Sequence, residues 1–143
     1  LSTHIWCYSA GILGALAWAY AQTGRLQLAL HTIDEALIRV EQADERHWEA
    51  NLRRLRAEIL LIGGDEVKAE ASLQQAIGIA RQQRAKSWEL RAVISLARLW
   101  HQQGKSEQAR RRLAQIYNWF TEGHDTADLR EAKTLLKQLN RQE

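Results

Sequence analysis

The sequence predicts an all-α protein, an α-solenoid of three helical hairpins followed by a capping helix, seven helices in all. Three observations carry that prediction. First, a pattern of residues recurs every forty positions. Ala17, Tyr20, Gly24, Ala29, Ile33 and Ala36 align with Ala57, Leu60, Gly64, Ala69, Leu73 and Ala76, and these with Ala97, Trp100, Gly104, Ala109, Leu113 and Ile116. Self-similarity at one spacing marks stacked supersecondary units. Second, proline is absent while Ala, Leu, Gln, Glu and Arg dominate, which favours helix throughout. Third, the apolar residues recur at helical rather than alternating spacing.

Helix A1 is predicted over about residues 7–22, with Ile12, Leu13, Leu16 and Tyr20 on one face, ending at Gly24. Helix B1 follows over about 26–42, with Leu30, Ile33, Leu37 and Val40 inward. Helix A2 is predicted over about 46–62 and helix B2 over about 66–83, the latter capped by Asp65. Helix A3 is predicted over about 87–103 and helix B3 over about 106–120, with Ser87 and Ser106 as their caps. The last helix, about 127–139, puts Leu129, Ala132, Leu135, Leu136 and Leu139 on one stripe and polar groups such as Glu131 on the other, as suits the end of an array. The repeats so defined are residues 7–45, 46–85 and 86–122, with a cap at 126–140, in a single domain spanning 1–143. Alanines at the repeating positions predict seams where helices approach closely.

A chain of 143 residues is large enough to bury a real core. It starts at Leu1 and contains no methionine, which predicts either an excised piece of a larger protein or a processed chain. The formal charge is only +3, with acids and bases interleaved as on solvated helix faces. The lone Cys7 excludes an internal disulfide and suits a reducing cytoplasm. No apolar run is long enough to span a membrane as a helix.

At the recurring residues the chain resembles the tetratricopeptide repeat (TPR) proteins. Their pattern is a small residue, an aromatic or Leu three positions on, a turn glycine four later, then alanines on the second helix. The resemblance implies a right-handed solenoid with a concave face lined by the first helix of each pair. The period of forty exceeds the usual 34, Arg53 and Arg56 stand where the family has apolar groups, and no repeat ends in proline. A narrower resemblance rests on ARQQRAKSWELRAVISLARLWHQQGKSEQAR and IYNWFTEGHDTADLREAKTLL, above all Trp119-Phe120-Thr121-Glu122-Gly123 with Asp125-Thr126; His124 stands where Phe is expected. These segments are similar to the C-terminal repeat region of bacterial proteins in which a nucleotide cyclase or winged-helix domain precedes a signalling ATPase. That resemblance implies a non-catalytic regulatory or scaffold arm, bacterial and cytoplasmic, that binds a peptide or another domain of the same chain.

No catalytic, cofactor or metal motif stands out. Gly63-Gly64-Asp65 is too short for a phosphate loop and no Lys-Ser/Thr pair follows it. His4, His31, His47, His101 and His124 lack metal-ligand spacing; His124 with Asp125 and Asp128 could meet an ion, but capping by the aspartates accounts for them more simply. Tyr8, Trp48 and Trp88 form a forty-residue ladder that suits packing between repeats, while Trp119 and Phe120 are expected to anchor the last helix.

The register of the concave face selects Trp18 on helix A1, Asn51, Arg54 and Glu58 on helix A2, and Arg91, Ser95, Arg98 and His101 on helix A3. Arg91, Arg98 and His101 could hold a carboxylate or an acidic peptide, since guanidinium makes bidentate charge-assisted bonds. The plainer reading is a solvated face laced by pairs such as Arg54–Glu58. The Lys/Asn clamp for C-terminal peptides is not visible. Arg110-Arg111-Arg112 and the Arg81, Arg84 and Lys86 group invite a nucleic-acid reading, but consecutive arginines on a helix point in different directions, which argues against one phosphate-tracking stripe. The alternative function is structural self-association through the end of the array around Ile5, Trp6 and Tyr8, and a third, weaker reading is small-molecule sensing in the concave groove.

Overall fold

Helices separated by turns that repeat every forty residues make up the fold of the computed structural model, which describes residues 9–141. In chain order these are α1 (Ala10–Gln22), α2 (Leu26–Ala43), α3 (Glu49–Ile62), α4 (Glu66–Gln82), α5 (Lys86–Gln102), α6 (Ser106–Trp119) and α7 (Ala127–Asn140). A 3-10 turn, Arg46–Trp48, leads into α3. No strand occurs among the described residues, and the arrangement is an all-α solenoid that fits a TPR-like protein. Expectations for Ile5, Trp6, Cys7 and Tyr8, and the predicted start of helix A1, lie outside the described residues.

The turn within each hairpin is set by one glycine. Gly24, Gly64 and Gly104 have φ of 83°, 84° and 81°, the left-handed region in which any Cβ is penalised. The residue after each glycine donates its amide five residues back: Arg25 to the carbonyl of Tyr20 at 2.9 Å, Asp65 to Leu60 at 2.9 Å, and Lys105 to Trp100 at 2.8 Å. This satisfies carbonyls that a helix end leaves free. Between hairpins the same device uses Asp44 (φ 54°) and Arg84 (φ 55°), again forty apart, with Glu45 bonded to Val40 and Ala85 to Ala80.

Capping follows the expectation at Asp65, whose carboxylate accepts from the Lys68 amide at 3.1 Å. It departs at the two serines. Lys105 holds the cap position of α6 and Ala85 that of α5, neither with a side-chain bond. Ser106 is the first helical residue and its hydroxyl meets Nδ1 of His101 at 3.1 Å, while Ser87 lies within the first turn of α5. A cap absent from the serine reading joins two hairpins: Glu45 accepts from the Ala10 amide at the start of α1, at 2.8 Å.

Packing is layered. The odd-numbered helices α1, α3, α5 and α7 contact each other in sequence, whereas α2, α4 and α6 lean mainly on their odd-numbered neighbours. One row is therefore close and the other splayed, which turns the odd-numbered row toward the inside of the curve. The seam alanines are sealed: Ala17, Ala29, Ala36, Ala57, Ala69, Ala76 and Ala109 have no exposed area. Ile33, Leu73 and Leu113 fill the spaces between them and are equally buried. Helix α3 serves two clusters, giving Leu52 and Ile59 to the one built on the hairpin before it and Ala57 and Leu60 to the one that runs from α4 to α7.

The two arginines at unusual positions lie on the seams without breaking that register. Arg56 reaches back to Asp34 on α2 at 3.0 Å, and Arg53 reaches forward to Gln75 on α4 at 3.2 Å. Of the aromatic ladder, Trp48 packs between hairpins: a Cβ on Gly11 would fall 2.6 Å from its ring. At the other end the expected anchor divides. Phe120 packs on the core, but Trp119 is 56% exposed and touches Phe120 edge-on. A tryptophan on the last turn of α6 points away from a helix that starts only after the linker.

Two substitutions test this frame by chemical denaturation. Gly64→Val forces a branched residue into the left-handed turn and is expected to cost about 1–2 kcal/mol. Ala69→Leu overfills the seam, for a loss of about 1–3 kcal/mol.

Candidate interaction groove on the odd-numbered helices

The close row of helices leaves a trough of about 450 Å³, into which successive helical turns bring side chains. Trp18 on α1, Glu58 on α3 and Arg98 on α5 stand at one repeat position, forty residues apart, and all three line it. Arg54, Leu55, Arg91, Ile94 and Ser95 complete the walls contributed by α3 and α5. Six of the eight residues expected on the concave face thus share one groove.

The other two do not line it. Asn51 is half-buried and accepts from both Nε and Nη2 of Arg54 on its side-chain oxygen, at 3.2 and 3.0 Å. It acts as a brace. His101 is turned to Ser106 on α6, whose hydroxyl lies 3.1 Å from its Nδ1. The expected grip of Arg91, Arg98 and His101 on one carboxylate is therefore not assembled.

Helix α7 supplies what the sequence reading lacked. Asp128 and Glu131, three residues apart on one face, also line the groove. Arg91 Nε bonds Asp128 Oδ2 at 2.8 Å, and Arg98 pairs with Glu131. Arg91 also lies with its guanidinium 5.0 Å from the centre of the Trp88 ring. Asp128 is thus bound to an arginine rather than serving His124, whose ring instead meets Tyr117 at 5.4 Å. Among the described residues no group of three or more His, Cys, Asp or Glu could hold a metal ion.

The groove is balanced in charge, with three arginines facing Glu58, Asp128 and Glu131. Its cations are not equivalent. Arg91 and Arg98 have carboxylates of their own, whereas Arg54 has a neutral amide. Burial pulls the Arg54 guanidinium below its ordinary value; Glu58 and Asp128 act in the opposite sense, and Arg91 and Arg98 add to the depression. An anion arriving from outside would find its strongest unmet demand at Arg54, between the apolar surfaces of Leu55 and Ile94. Trp18 supplies a half-buried ring at one end.

Elsewhere the basic runs separate as their helical phase requires. Arg110 and Arg111 both bond Glu107, at 2.6 and 3.0 Å, while Arg112 reaches Gln74 on α4 at 3.5 Å. Among the described residues no helix is long and apolar enough to cross a membrane.

No known family profile matches the chain. Over 104 residues it is 34% identical to cellulose synthase operon protein C of Xanthomonas axonopodis pv. citri (strain 306), a match that covers 71% of this chain. The chain spans only 6% of that relative's length.

Proposed function

We propose that this protein is a non-catalytic interaction module whose odd-helix groove docks a peptide, or another domain of the same chain, without cofactor or metal. The observation that supports this most directly is Arg54. It is a partly desolvated cation whose hydrogen bonds go to the neutral Asn51 rather than to a carboxylate, within a groove that also holds Leu55, Ile94 and Trp18. A bound segment with one carboxylate for Arg54 and one large apolar side chain for Trp18 would answer both demands. The similarity to a small part of a much longer bacterial protein supports reading it as a regulatory arm of a larger cytoplasmic protein, such as a signalling or transcription-regulating ATPase.

Peptides selected by display against the protein provide the test. Trp18→Ala and Arg54→Gln are each expected to weaken the selected peptides by about tenfold or more, read by fluorescence anisotropy, with melting temperature nearly unchanged. Unchanged affinity in both variants would reject this groove. Arg91→Glu with Arg98→Glu is a different perturbation, since it also sets like charges against Asp128 and Glu131. It is expected to loosen α7, losing about 0.2–1 kcal/mol for each exposed pair in thermal melts.

A second reading is self-association through α1. Ile12 is 54% exposed, whereas Leu52 and Ala92, its equivalents in the next two hairpins, are each 1% exposed where they dock on the preceding hairpin. Helix α1 carries no charged residue to solvate that face. If copies pair there, light scattering shows a mass that rises with concentration and falls back to the monomer with Ile12→Glu. A constant monomer mass rejects self-association.

A further inference from the structure

Away from that groove, a second cavity of about 490 Å³ opens between the C-terminal turn of α4, the first turn of α5 and the C-terminal half of α6. It gathers residues from both basic runs. Arg81, Lys86 and Arg112 line it with a single acid, Glu89. The Glu89 side chain is only 4% exposed and both its oxygens are engaged, by Arg81 Nε at 3.0 Å and by Lys86 Nζ at 3.2 Å. Arg112 is left over. Its bond to the neutral Gln74 is long, at 3.5 Å, and its Nε is buried with no hydrogen-bond partner.

Positive charge therefore exceeds negative at this spot, while the cavity also has an apolar side. Trp119 presents a 56% exposed indole at the rim, next to buried Ile116, and Lys86 Nζ lies 5.2 Å from the centre of its ring. Burial first, and then the neighbouring charge of Arg81, hold the Arg112 guanidinium below its ordinary value, with Glu89 opposing. An oxyanion seated here relieves the crowding of the cations and accepts from several donors at once. An aromatic group attached to that anion lies along Trp119.

We propose that the α4–α5–α6 cavity is a binding site for a small phosphate monoester, with Arg112 and its neighbours Arg81 and Lys86 taking the phosphate and Trp119 its apolar substituent. Arg112 is the residue on which the site turns, because it alone of the three cations has no carboxylate to satisfy. The site is separate from the odd-helix groove and stands whether or not that groove binds a peptide.

Isothermal titration with phenyl phosphate and with inorganic phosphate, on the intact protein and on Arg112→Gln and Trp119→Ala, tests the assignment. Phenyl phosphate is expected to bind more tightly than inorganic phosphate. Arg112→Gln weakens both ligands by about tenfold. Trp119→Ala, which removes an exposed side chain and leaves the core intact, abolishes the preference for phenyl phosphate and spares inorganic phosphate. No saturable binding of phenyl phosphate, or binding unaltered by both substitutions, overturns the proposal. Equal affinity of the two ligands for the unsubstituted protein overturns the role given to Trp119.

Discussion

Close approach at the alanine seams is the constraint on which the rest of this structure depends. A seam that admits no side chain larger than a methyl group fixes how near the helices of a hairpin lie, and a spacing repeated three times fixes how hairpins stack. With Ala17, Ala57 and Ala97 on the odd-numbered helices and Ala29, Ala69 and Ala109 on the even-numbered ones, each pair meets through the same small contact. The large residues then fill the spaces above and below it. The odd row closes up, the even row opens, and a trough results from packing alone.

Two kinds of turn hold that spacing. Within hairpins, glycine takes the left-handed position and the following amide closes on a carbonyl five residues back. Between hairpins, Asp44 and Arg84 adopt the same conformation at the cost of a Cβ. Both residues are polar and solvated, and the bonds from Glu45 to Val40 and from Ala85 to Ala80 offset the strain. Because the turns repeat at the same interval as the seams, the register of one hairpin carries into the next without adjustment.

The fold was legible in the sequence because its causes are local or periodic. A glycine four residues past an aromatic or Leu, and alanines at one spacing, need no knowledge of neighbours to be read. The α7 stripe of Leu129, Ala132, Leu135 and Leu139 was readable for the same reason, and all four are buried. The serine caps misled because a hydroxyl beside a helix start can bond elsewhere, and Ser106 meets His101 instead. The concave face was readable only in part. Trp18, Glu58 and Arg98 follow from the period, whereas the contact that takes His101 to Ser106 does not.

By itself the sequence determined the helices, their turns, the seams and the face on which the arginines of α3 and α5 stand, since each of these follows from spacing along one chain. Only the tertiary structure decided which of those arginines have partners. Asp128 and Glu131 come from a helix more than thirty residues beyond Arg91 and Arg98. Nothing in helical periodicity says that α7 returns to the same trough. The same holds for Arg112, Arg81 and Lys86, which lie in two basic runs and share one cavity only because α4, α5 and α6 pack side by side. Charge pairing acts through space over a few ångströms, so it is settled by the packing of helices and not by their order.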